Sequence, residues 1–271
     1  MSDATFTERQ IRVESATLVR DDYTVLDDAS VVFPRGKTTI IMGPSGSGKS
    51  TLLKIAAGLF PPDTGSVTYD GLDITASSGE TERQLRQRLG FAFQDGALWQ
   101  NMTIYQNLAL PLQYHFPRMA RSEIDERINR LVASFPVRRH FPLRPAALSG
   151  GERKIISFLR SLILEPEVLF FDEPTSFVDN QSADRIIAVL EAQRRRGTTL
   201  IGISHSAELT ARIADYLLVI IAGRIRAFGP VKDVVQTADR EVQTVLTEVL
   251  ADAATFDGDI LDLLDGSDPF S

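Results

Sequence analysis

The segment Gly43-Pro44-Ser45-Gly46-Ser47-Gly48-Lys49-Ser50 matches the pattern G-x-x-x-x-G-K-[ST] in full. Glycines at these places let a backbone wrap closely around an anion, turning N–H groups and a helix N-terminus toward phosphate oxygens. In such a loop Lys49 neutralises the β- and γ-phosphates, and the Ser50 hydroxyl is a ligand for Mg²⁺. Thr51, which opens the helical run Thr51–Ala57, joins the candidate nucleotide contacts. The expected ligand is a nucleoside triphosphate. A second segment, Val168 to Pro174, is an apolar strand ending in the adjacent carboxylates Asp172 and Glu173. Asp172 is placed to hold Mg²⁺, directly or through water. Glu173 points elsewhere along the pleat, where it can orient or deprotonate an attacking water. A third segment, Leu148-Ser149-Gly150-Gly151-Glu152, starts a helix with Ser149 as N-cap and two glycines forming another anion nest. One nucleotide does not need two nests in one chain. If two chains meet head to tail, each nest closes the other chain's site.

The elements that must position these residues alternate along the chain. Strand-like apolar runs fall at Thr38–Met42, Leu89–Phe93, Val168–Asp172, Leu200–Ser204 and Tyr216–Ile221, many followed by helical patterns. This order predicts an α/β fold with a largely parallel sheet covered by helices. Between about residue 95 and 165 the pattern becomes mostly helical, which reads as a helical subdomain inserted between strands. Within it, Ile124, Ile128, Leu131, Val132 and Phe135 share one face of a helix expected over Glu123–Phe135, with Ser122 as its N-cap and Pro136 as its stop. Phe60–Gly65 reads as a turn and Thr75–Glu80 as a loop.

Composition excludes several chemistries. Among 271 residues there is no Cys, so disulfides, thiolate metal sites and cysteine nucleophiles are ruled out. The three histidines, His115, His140 and His205, are too scattered for a histidine metal cluster. The formal charge is −7, but residues 231–271 alone carry −8, which leaves +1 for residues 1–230. Nucleic acid is therefore not an expected partner, and Arg194-Arg195-Arg196 before Gly197 reads as a helix C-terminus. No apolar run reaches membrane-spanning length, and MSDATFTERQ lacks the features of a signal peptide. The expectation is a cytoplasmic protein.

Taken together, these motifs resemble the ATP-binding subunit of ABC transporters over roughly residues 10–230. The phosphate loop, Gln94, Leu148–Glu152, Val168–Glu173, the turn Ser176-Phe177-Val178-Asp179 and His205 stand in that family's order and spacing. The resemblance implies a P-loop ATPase with an antiparallel β subdomain beside the main sheet. It also implies a head-to-tail homodimer that closes on two ATP molecules and works on an integral membrane permease. Gln94 would sense Mg²⁺ and the γ-phosphate, His205 would contact the γ-phosphate, and Asp179 would join the cofactor-binding residues. The chain departs from the family pattern at Phe177-Val178, Ser206 and Ile155, where a small residue with Leu, an Asp and a basic residue are usual. The aromatic that stacks on adenine normally falls near Arg20; here Tyr23 is the closest aromatic, and the Arg20 guanidinium offers an alternative stacking plane.

Phe91-Ala-Phe-Gln-Asp-Gly-Ala-Leu-Trp99, continuing to Asn107-Leu-Ala-Leu-Pro-Leu112, is similar to ATPases of Mla/MCE phospholipid-transport systems. That resemblance implies peripheral attachment at the inner membrane, a lipid-binding MCE protein in the assembly and a small regulatory protein. Leu98, Trp99, Met102 and Tyr105 are the candidates for an apolar groove receiving a permease helix, the alternative being that they pack within the helical subdomain. An importer for another solute shares the architecture. A soluble non-transport ATPase of this family usually carries two cassettes or a long coiled coil, and neither occurs here. Residues 231–271 form an acidic extension to the ATPase domain of residues 1–230. Val242, Val245, Leu246, Val249 and Leu250 stand there at helical spacing. Beyond them, Phe256–Phe270 alternates Asp with Ile260, Leu261, Leu263 and Leu264, a stretch open to disorder or to docking on a partner.

Overall fold

A computed structural model describes residues 10–74 and 77–251 of the chain. It begins with two long strands, β1 (Ile11–Arg20) and β2 (Tyr23–Phe33), each burying one face. β3 (Thr38–Met42) is buried at every residue, as a central strand covered on both sides must be. The glycine-rich loop joins it to α1 (Lys49–Ala56), and the helix stops at Gly58, whose φ is +62°. Next come β4 (Thr64–Tyr69), β5 (Leu72–Asp73), α2 (Gly79–Gln87) and β6 (Leu89–Ala92). Three helices follow, α3 (Ile104–His115), α4 (Arg121–Leu131) and α5 (Gly150–Leu162). The chain then runs through β7 (Val168–Asp172), α6 (Asn180–Arg195), β8 (Thr199–Ile203), α7 (Ala207–Ile213), β9 (Tyr216–Ile221) and β10 (Arg224–Pro230). It ends in α8 (Val231–Val235) and α9 (Arg240–Ala251).

Two sheets result. β2-β1-β4-β5 is antiparallel, and β10-β9-β3-β8-β7-β6 is parallel apart from β10 at its edge. β3 contributes Ile41 to one core cluster, shared with the antiparallel sheet and α1. It contributes Ile40 and Met42 to the other, shared with α3 to α9. Parallel strands send their carboxyl ends to the same edge, so the segments after β3, β6, β7 and β8 all converge there. Close pairing of β7 with β8 depends on Gly202, the register partner of Phe171. A Cβ on Gly202 would lie 1.9 Å from the Phe171 ring.

Several local expectations are corrected. α4 begins at Arg121, two residues before Glu123, capped by the backbone of Ala120 rather than by Ser122, and ends at Leu131. Val132 and Phe135 remain buried, so the apolar pattern outlasts the helix by a turn. Helix α2 begins at Gly79, inside the segment read as a loop, and Thr75 lies outside the described residues. Helix α9 packs on the body through Val242, Val245 and Leu246, while Arg226 of β10 binds Asp239 at 3.0 Å and Glu241 at 2.6 Å. Phe256–Phe270, including Ile260, Leu261, Leu263 and Leu264, lies outside the described residues.

Candidate active site

The carboxyl edge of the parallel sheet opens into a cleft of about 370 Å³. Its walls are Ser45 to Thr51 from the glycine-rich loop, Gln94 after β6, Asp172 and Glu173 at the end of β7, His205 after β8, and Val25 of β2. Gly43 must be glycine, since a Cβ there would lie 2.1 Å from the Ile220 carbonyl oxygen. Gly48 caps α1 with φ at 100° and no side-chain cap, so the first N–H groups of the helix have no side-chain acceptor. Lys49 Nζ donates to the carbonyls of Gly43 at 2.7 Å and Pro44 at 2.8 Å, which leaves one of its three donors for an anion. Burial lowers the Lys49 ammonium from its ordinary value, against the pull of Glu173 and Asp172.

Glu173 stands in the left-handed region, with φ at 50°. Its N–H donates to the Ile203 carbonyl at 3.0 Å, which ties the end of β7 to β8. The His205 N–H donates to Glu173 Oε2 at 3.4 Å, and His205 Nε2 stands 3.4 Å from Oε1, an ion pair when the imidazole is protonated. Oε1 is buried without a hydrogen-bonding partner in good geometry, an unsatisfied acceptor at the edge of the cleft. Burial pushes the Glu173 carboxyl up to about 7. The His205 N–H opposes this, Asp172 adds to it, and Lys154 and Lys49 draw it back. Ser50, Gln94 and Asp172 offer hydroxyl, amide and carboxylate oxygens to the same cleft, a donor chemistry that suits Mg²⁺ completed by phosphate oxygens.

Ser149, Gly150, Gly151 and Glu152 lie elsewhere. They line a second cleft of about 460 Å³ with Phe177, Val178 and Asp179, and no residue lines both clefts. Ser149 caps α5 in a reciprocal box: its Oγ accepts from the Glu152 N–H at 3.2 Å, and its own N–H donates to Glu152 Oε2 at 2.9 Å. Asp179 caps α6, accepting from the Ser182 N–H at 2.9 Å. Arg20 and Tyr23 line neither cleft. Arg20 pairs with Asp63 at 3.3 Å and Tyr23 is exposed, while Val25 is the residue this hairpin contributes to the nucleotide cleft. Val25 and Lys154 went unnoticed in the sequence. A lysine inside the apolar stripe of a helix is the one signal that marks Lys154.

The groove expected from Leu98, Trp99, Met102 and Tyr105 is redrawn. Leu98 is in the core, and the cavity of about 520 Å³ near this place is lined by Tyr105 with Phe116, Pro117, Met119 and Ile124. Buried Asn107 explains the paired motifs. Its Oδ1 accepts from the Trp99 N–H at 2.8 Å and its Nδ2 donates to the Trp99 carbonyl at 3.1 Å, which locks the loop after Gln94 onto α3.

A phosphate-binding loop between strand and helix, sharing a cleft with a carboxylate pair that ends another parallel strand of the same sheet, defines a P-loop ATPase. The chain belongs to the ABC transporter family, whose profile matches residues 26–176, and it is an ATP-hydrolysing subunit of a transporter. It is 38% identical over 217 residues to the nickel import ATP-binding protein NikO of Rhodobacter capsulatus, covering 77% of this chain and 84% of that one. It is 32% identical over 233 residues to the intermembrane phospholipid transport system ATP-binding protein MlaF of Haemophilus influenzae, covering 86% and 88%. A dimeric ATP-binding cassette in a post-hydrolysis state with ADP and Pi shares its fold. The TM-score is 0.75 at 24% identity, over 81% of this chain and 98% of that chain. Among the described residues no helix is long and apolar enough to cross a membrane.

Proposed function

We propose that this chain powers a membrane phospholipid transporter of the Mla type, as a head-to-tail homodimer with ATP in both interfaces and an integral membrane permease as partner. The observation that carries the dimer is the separation of two anion nests into two clefts that share no residue. Each half-site gains a partner only from a second copy. In that arrangement the loop N–H groups and Lys49 hold the phosphates, Ser149 to Glu152 of the other copy close over the γ-phosphate, and Asp179 lies beside the contact. Mg²⁺, when bound, neutralises β- and γ-oxygens, with Ser50, Gln94 and Asp172 as the residues that would hold it. Glu173 accepts the proton of the attacking water, and His205 orients the carboxylate and the γ-phosphate. Adenine then extends toward the β1–β2 hairpin, with Val25 at the cleft wall and Arg20 or Tyr23 beyond it.

The lipid assignment draws support from the resemblance over Phe91–Leu112 and from the MlaF relatives. An MCE protein and a small regulatory protein would complete the assembly at the inner membrane. The 38% identity to a nickel import subunit favours a second reading, an importer for another solute. One experiment addresses both. Glu173→Gln, expressed with its native neighbours, should bind ATP, lose turnover and hold a dimer that brings down a permease with phospholipid. Undiminished ATPase activity would remove Glu173 from its role, and a permease complex free of lipid would favour the importer.

A further inference from the structure

Lys154 sits where the apolar stripe of α5 calls for a hydrophobic side chain. It is 4% exposed, beside the buried Ile155, Ile156 and Phe158. An ammonium in such a place is costly unless its donors are matched, and the matches here are specific. Nζ donates to the Ser176 carbonyl at 2.9 Å and to the Ser176 hydroxyl. That hydroxyl donates in turn to the Glu173 carbonyl at 3.0 Å. The turn so held contains two non-glycine residues in the left-handed region, Glu173 with φ at 50° and Phe177 with φ at 61°. Such conformations persist only where surrounding contacts over-determine them. The same ammonium lies 5.6 Å from the centroid of the Phe177 ring, which is 88% exposed. One buried cation therefore grips the middle of a turn whose first residue lines the nucleotide cleft and whose last residues line the cleft of the second nest.

We propose that Lys154 is a positioning residue for hydrolysis: by clamping the Glu173–Phe177 turn to α5, it aims the Glu173 carboxylate into the nucleotide cleft and presents the Phe177 ring to a second copy of the chain. The proposal rests on the reading of Glu173 as the group that receives the water's proton. Lys154 is not among the residues lining the nucleotide cleft; it acts through the turn. Its helix carries the nest at its N-terminus, so a displacement of α5 on closure moves the clamp and the carboxylate together.

The test is steady-state ATP turnover of the full chain carrying Lys154→Met, Lys154→Arg or Ser176→Ala, with thermal unfolding recorded for each. Lys154→Met should lower kcat about tenfold or more while KM for ATP stays within about threefold, because nucleotide binding uses the other wall of the cleft. Lys154→Arg keeps a cation and donors and should recover most of the lost kcat. A merely structural lysine would instead lower the unfolding temperature and leave kcat per folded molecule unchanged, and that result would overturn the clamp. So would a Lys154→Arg no better than Lys154→Met in a folded protein. If Lys154→Met fails to fold, Ser176→Ala decides: a kcat lowered severalfold supports the clamp and a wild-type kcat overturns it. Glu173→Gln run alongside separates the two readings. Its full activity would dismiss Glu173 itself, whereas its inactivity beside an unimpaired Lys154→Met rejects the clamp alone.

Discussion

Glu173 holds its proton in the folded, ligand-free chain over a pH range in which the unfolded chain has already lost it. Burial is the largest cause, raising the carboxyl from 4.5 to about 7. Folding therefore takes up a proton, and the stability of the ligand-free protein falls as pH rises from about 4.5 through about 7, then levels. A rise of this size corresponds to a cost on the order of 3 kcal/mol above pH 7, an upper figure because Lys49 and Lys154 titrate in the same field. Glu173→Gln should remove the penalty. Urea unfolding at pH 8 should find the variant more stable than the parent, and the gap should shrink toward zero as pH falls below about 4.5. Equal midpoints at pH 8 would mean that water reaches the carboxyl more freely than its 11% side-chain exposure indicates. On the proposed role of Glu173, the same protonation sets the acid side of activity: kcat/KM for ATP should decline below pH of about 7, where the carboxyl is protonated.

Between residues and the whole molecule, the elements differ in how plainly the sequence announces them. β3, β7 and β9 were legible to the residue because each is an apolar run with both faces covered. β1 and β2 were not, since register shifts at Val13/Ala16, Ala16/Leu18 and Leu18/Val19 break the period-two alternation that marks a half-buried strand. α2 hides for another reason: its sequence is almost wholly polar and it buries only Leu85. In the site, the phosphate loop, Asp172, Glu173, Gln94 and His205 were readable from motif order, and the fold brings Ser45–Ser50 of the loop and the other four residues to one cleft. The partners of Arg20 were not readable, because Asp63 comes to it from a turn 43 residues away. Gly202 shows how one position sets strand spacing. Gly202→Ala drives a Cβ against the Phe171 ring, an overpacking expected to cost about 1–3 kcal/mol, since the ring is wholly buried and has nowhere to turn. Chemical denaturation should show that loss, and adding Phe171→Leu should return part of it. A Gly202→Ala protein as stable as the parent would mean that β7 and β8 can slide apart without penalty.

At the scale of the molecule, the proposed head-to-tail arrangement makes the chain, with its two separate clefts, half of a machine rather than a complete one. The nucleotide cleft holds Lys49 and Glu173, while the second nest, led by Ser149, opens separately with Asp179 beside it. A head-to-tail pair would combine the nucleotide cleft of each copy with the nest of the other, a two-fold arrangement in which every site draws on both chains. This makes complementation possible between variants that are each inactive alone. Lys49→Ala destroys the phosphate grip of its own cleft and leaves its nest intact; Ser149→Arg fills the nest with a long side chain and leaves its own cleft intact. A homodimer of either variant then has no complete site. A mixed pair has one, formed by the cleft of the Ser149→Arg chain and the nest of the Lys49→Ala chain, while its other site is damaged twice. At equal mixing half the dimers are mixed, so turnover should rise from near zero to about a quarter of the parental rate where the two sites fire independently, and to less where they must fire together. ATPase assays on the separate and mixed proteins, refolded or co-expressed to allow exchange, read the outcome directly. If each cleft closed over nucleotide with its own nest, Lys49→Ala and Ser149→Arg would damage different halves of one intramolecular site, and no mixture would regain activity.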